Sequence, residues 1–106
     1  MTFAIAPLPQ PLQCLTVELD FNAVDPIMAA RSLHQITAVS DKRMLINCDD
    51  LDCVRAYGVC FFVSQLLRMR AYGITLVLRR VRPELQRALH LLYLHTIFII
   101  LPAASE

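Results

Sequence analysis

Short apolar runs with strand spacing alternate with helix signals along the whole chain. That alternation constrains the fold more than any other feature. In Gln13 to Phe21, Leu15, Val17 and Leu19 fall at every second position, as a strand with one buried face requires. Arg43 to Cys48 centres on Met44-Leu45-Ile46, a continuous apolar run suited to a strand at the middle of a sheet. Ile74 to Val81 and Thr96 to Leu101 read as two further strands. Three helices are predicted between them. Asp25-Pro26 opens the first: Asp suits the N-cap, Pro the first turn, which needs no N–H donor. Ile27, Ala30 and Leu33 form its buried stripe, and it is expected to end near Val39. Gly58 stands at the mouth of the second helix, with Val59, Phe62, Val63 and Leu66 at core spacing and Gly73 as its C′ residue. Pro83-Glu84 opens the third, whose stripe is Leu85, Ala88, Leu89 and Leu92. Asp49 to Tyr57 reads as a loop. Strand, helix, strand, helix, strand, helix, strand predicts an α/β domain with a largely parallel sheet.

A length of 106 residues supports one domain, residues 1–106, with Pro7 to Pro11 as an extended lead-in or edge strand. Hydrophobic residues make up 57% and charged residues 18%, a more apolar balance than average. The surplus predicts that some apolar surface meets a partner or a second copy, as a homodimer.

The longest apolar run, Ala88 to Leu101, is interrupted by His90, His95 and Thr96, and falls short of the roughly 18 residues a membrane span needs. Met1 to Leu12 carries no Lys or Arg and contains three prolines, so it does not read as a secretory signal. No membrane insertion is expected, and the localisation reads as cytoplasmic. Cys14, Cys48, Cys53 and Cys60 are unevenly spaced and suggest free thiols in a reducing compartment.

With only Gly58 and Gly73, no phosphate-cradling loop can be built. None of the four serines has a histidine at a suggestive spacing, so no nucleophilic site is evident. His90 and His95 are five apart, off the spacing that puts a metal pair on one helix face. Asp49, Asp50 and Asp52 lack the pattern of a calcium loop and read as a solvated turn. No enzyme, cofactor or metal site is expected. Residues 1–54 carry net −4 and residues 55–87 net +6. The basic half includes Arg68, Arg70, Arg79, Arg80 and Arg82. Without a stacking platform and with one lysine, it does not suggest a nucleic-acid partner.

Several segments together resemble the STAS domains (sulfate transporter and anti-sigma factor antagonist). Glu18-Leu19-Asp20 is similar to the Glu-Leu-Asp that closes the family's first long strand, although Val17 stands where a glycine is usual. Arg43 to Leu51 resembles the central strand with its acidic residue and leucine. Val54 to Gly58 falls where the family carries Asp-Ser-Ser-Gly or Asp-Ser-Thr-Gly. Ala71-Tyr72-Gly73 closes the next helix, and Leu94 to Phe98 resembles the Leu-x-x-x-Phe ending, with Tyr93 in place of the glycine of its tight turn. The resemblance covers roughly Leu12 to Ala103. It implies a small, mostly parallel mixed sheet with an antiparallel edge strand and helices mainly on one face. It also implies a non-enzymatic regulatory module that binds a protein. That partner would be an anti-sigma factor of the serine-kinase type or, if the chain is a cytosolic subunit of a lipid or anion transport complex, a transporter ATPase.

In signalling members of the family, a Ser or Thr before the glycine is phosphorylated by the partner. Here the loop reads Arg55-Ala56-Tyr57-Gly58. Tyr57 occupies the acceptor-equivalent position, but its phenol lies much further from the backbone than a serine hydroxyl, so the switch is expected to be lost. Asp52, Arg55, Ala56, Tyr57, Gly58 and Phe61 are the predicted partner-binding residues, because fixed Tyr and Arg side chains suit a constitutive interface. The outer helix face, predicted to hold Cys60, Phe61, Ser64, Gln65, Arg68 and Met69, would extend it.

Overall fold

The computed structural model describes residues 14–103. Four strands, β1 (Cys14–Leu19), β2 (Asp41–Asn47), β3 (Thr75–Val81) and β4 (Ile99–Pro102), form one sheet in that order, every neighbouring pair parallel. Helix α1 (Pro26–His34) joins β1 to β2. Helices α2 (Asp52–Tyr57) and α3 (Val59–Arg70) join β2 to β3. Helix α4 (Pro83–Leu91) and a 3₁₀ turn (Leu94–Thr96) lead to β4.

Strand pairing puts Val17 beside Met44, Met44 beside Leu76, Ile46 beside Leu78 and Leu78 beside Ile100. These alternate positions share one face. Leu19, Met44, Ile46, Leu76 and Leu78 join Ile27, Ala30, Leu33, Phe62, Leu66, Met69, Leu85 and Leu89 in a single core. The helices therefore cover one face, as same-handed crossovers between adjacent parallel strands require. The other face carries Thr16, Glu18, Arg43, Leu45 and Arg79, with Glu18 and Arg79 paired at 3.5 Å.

The antiparallel edge strand implied by the resemblance is not among the described strands. The Pro7 to Pro11 segment, read as a lead-in or edge strand, lies outside the described residues.

Other expectations are corrected in detail. Asp49 to Tyr57 is not all loop, since a short helix begins at Asp52. Helix α1 stops at His34, well short of Val39, and Lys42 Nζ donates to the His34 carbonyl at 2.9 Å, which satisfies the helix end with a positive charge. Gly73, with φ +80°, lies one residue beyond the C′ position of α3. Met69 is 0% exposed, a core residue one turn past Leu66 rather than part of the outer face. Leu92 is 51% exposed because α4 ends before it, outside the stripe completed by Leu85 and Leu89.

Among the described residues, two non-glycine residues take left-handed backbone angles. Arg80, φ +55°, lies in a bulge between the Leu78–Ile100 and Val81–Pro102 pairs. The extra residue resets the alternation, so that Val81 rather than Arg80 enters the core. Tyr93, φ +59° and ψ +24°, follows the C-cap of α4, in the position and conformation that glycine favours. Its side chain is exposed, so little packing offsets the strain. Tyr93→Gly is expected to stabilise the domain by about 1 kcal/mol, read as a rise in Tm of roughly 4–8 °C. An unchanged or lower Tm would contradict the assigned turn.

Candidate functional site

The carboxyl ends of parallel strands leave their connecting loops side by side, and this is where open α/β sheets usually present ligands. Here the β1 and β2 loops are tied together by one amide. Asn22 Nδ2 donates to the Asp50 carbonyl at 2.6 Å, and Asn22 Oδ1 accepts from the Asp52 N–H at 2.9 Å. The side chain thus pairs with the backbone like an additional strand residue and fixes the start of α2. Asp20 Oδ1 in turn accepts from the Asn22 N–H at 3.0 Å.

Sequence reading passed over Asn22. Its local signal is an Asx turn after a strand, and its long-range role depends on a loop 28 residues away.

The acidic residues of the second loop are not a bare solvated cluster. Arg55 forms ion pairs with both Asp50 and Asp52, and Arg82 reaches Asp49 at 3.6 Å. Hydrogen bonding to Asp50 is the main cause of an upward shift in the Arg55 pKa, reinforced by the charges of Asp50 and Asp52. All these groups are solvent-exposed, and exposed pairs contribute little to stability. Their consequence is local: the positive charge of Arg55 is matched within its own loop rather than presented outward.

Gly58, φ +91° and ψ +173°, separates α2 from α3. Its N–H donates to the Val54 carbonyl at 2.9 Å, and its carbonyl accepts from the Phe62 N–H at 3.4 Å. This break turns the chain so that Tyr57 and Phe61 meet across it, ring centroids 5.0 Å apart and tilted by 45°. Tyr57 is 71% exposed and Phe61 38%.

The predicted residues therefore separate into two groups. Asp52 and Arg55 engage each other and order the loop. Tyr57 and Phe61 form an outward aromatic pair hinged on Gly58, beside the exposed Ala56. The neighbouring Cys53 and Cys48 are poor nucleophiles. Burial pushes the Cys48 thiol up to about 12 and raises that of Cys53 as well.

Phe61 also forms one wall of a groove between α1 and α3, with Met28, Arg31, Gln65 and Arg68 around it. Met28 carries no marker in the sequence that sets it apart from other helix surface residues. It lies outside the buried stripe of α1 and is exposed. Away from this region, His90 and His95 stack with centroids 4.3 Å apart and 7° between planes. Lone pairs that lie in two parallel ring planes do not converge on one ion. Among the described residues no group of three or more His, Cys, Asp or Glu could hold a metal. No helix among them is long and apolar enough to cross a membrane.

Comparison with protein-family models, curated proteins and solved structures yields no match.

Proposed function

We propose that this chain is a non-enzymatic regulatory module that works by binding another protein, in the manner of a STAS-type anti-sigma factor antagonist whose phosphorylation switch has been lost. The observation that carries this reading is the Tyr57–Phe61 pair, two exposed aromatic rings in contact across a helix break at Gly58. Exposed aromatic anchors that are already ordered lose little conformational entropy on binding and are enriched where interfaces gain most of their energy. The Asn22 clamp and the Arg55 ion pairs support it by holding the loop in one arrangement before a partner arrives. Tyr57 offers no short hydroxyl at the acceptor-equivalent position, so binding is constitutive. The partner class is an anti-sigma factor of the serine-kinase type.

The experiment is quantitative affinity capture from the native cells with wild-type, Tyr57→Phe and Tyr57→Asp proteins as bait. Tyr57→Phe keeps the ring and should retain the partner. Tyr57→Asp places a charge in an apolar contact and should lower recovery at least tenfold, about 1.4 kcal/mol or more, with no change in Tm. Equal recovery with all three baits would overturn the reading. A captured transporter ATPase would replace the signalling role with a transport one.

A further inference from the structure

We propose that the groove between α1 and α3 docks an acidic amphipathic helix of the partner protein, with an apolar side chain against Met28 and Phe61 and a carboxylate two turns further along against Arg68, passing Arg31 on the way. This rests on the protein-binding reading above and specifies what the partner presents.

The groove has a built-in direction. On α3, Phe61, Gln65 and Arg68 follow at spacings of four and three and share one face. On α1, Met28 and Arg31 are three apart and line the opposite wall. Both helices run antiparallel to the strands, so their like ends lie together. One end of the groove is mainly apolar, with Met28 at 54% exposure, Phe61 and the adjoining Tyr57 ring, and its one carboxylate, Asp25, is held by the Ile27 and Met28 N–H groups. The other end is cationic. Arg43, Arg55, Arg79 and Arg82 each pair with a carboxylate, whereas Arg31 and Arg68 form no ion pair among the described residues. Arg31 is hydrogen-bonded to the Tyr72 side chain and feels the charge of Asp25, the N-cap of α1 that also lines the groove, so Arg68 is the less compensated of the two cations.

Phe61 and Arg68 are seven residues apart, about 10 Å along a helix, and residues i and i+7 of a partner helix span the same distance. Cations without an ion pair, Arg68 above all, beside an apolar strip select an occupant that is apolar on one face and acidic on its flank. The unbranched Met28 side chain adapts to the anchor it meets.

The test uses two fluorescein-labelled designed helical peptides with the same leucine stripe. One carries Glu, the other Lys, seven residues beyond the central leucine. The Glu peptide should bind at least tenfold tighter, and its affinity should fall as salt rises. Arg68→Glu should reverse the preference, and Met28→Ser should weaken both peptides without changing Tm. Equal binding of the two peptides, or an unchanged preference in Arg68→Glu, would overturn the proposal. So would sedimentation showing that a second copy of the chain fills the groove. The same variants separate this inference from the reading beneath it. Loss of the natural partner in Tyr57→Asp but not in Arg68→Glu defeats the groove alone. Retention in both defeats the binding reading as well.

Discussion

Phe62→Ala is expected to destabilise the domain by about 4 kcal/mol, enough to leave a chain of this size only marginally folded. Phe62 is fully buried at the centre of the core, with its ring edge-on to Phe21 at a centroid distance of 5.2 Å. Truncation loses the transfer energy of the ring and leaves a cavity that close-packed neighbours fill only in part. The adjacent residue behaves differently. Phe61 points outward, so Phe61→Ala should cost under about 1 kcal/mol of stability while removing half of the aromatic pair. Denaturant melts of the two variants check the contrast. Similar losses for both would contradict the outward placement of Phe61, and with it the proposed partner face.

Gly58→Ala should cost about 2 kcal/mol, for a different physical reason. A β-carbon at this position would meet nothing within 4 Å, so there is no clash. The cost lies in the backbone: φ +91° with ψ +173° is a region that essentially only glycine occupies. Relief of that strain would straighten the junction between α2 and α3 and pull Tyr57 away from Phe61, so partner binding should weaken alongside stability. D-alanine introduced at position 58 by chemical ligation accepts positive φ and should restore both. An L-alanine variant with full stability, or a D-alanine variant no better than the L form, would contradict the assigned geometry.

The strand and helix order was readable from the sequence because each element carries a local signal: alternation in Leu15, Val17 and Leu19, the Asp25-Pro26 and Pro83-Glu84 starts, the 3.6-residue stripe of α3. What escaped depends on distance or on brevity. Helix α2 has six residues, too few for a periodic stripe, and Leu51 anchors it from outside. Met69 continues the Phe62–Leu66 row, so a signal was present, but its place in the last turn of α3 made it easy to assign to the surface.

The bulge at Arg80 has no compositional marker, since a basic side chain takes the backbone conformation that glycine would favour. In the candidate site, the exposed Tyr57 and Phe61 were expected. Their contact depends on the angle at Gly58, which a residue type alone does not specify. The pairing of Arg55 with Asp50 and Asp52 changed its meaning, from a cation offered to a partner to one that orders its own loop. The Asn22 clamp joins two loops that only the parallel sheet brings together.

Calorimetric titration of the captured partner into wild-type and Tyr57→Asp proteins, both shown to melt at the same temperature, tests the central claim most directly. A partner that binds the wild type and gives no heat with Tyr57→Asp, while Tyr57→Phe binds normally, is the predicted result. Equal affinity for wild type and Tyr57→Asp would mean that the aromatic pair is not the binding face.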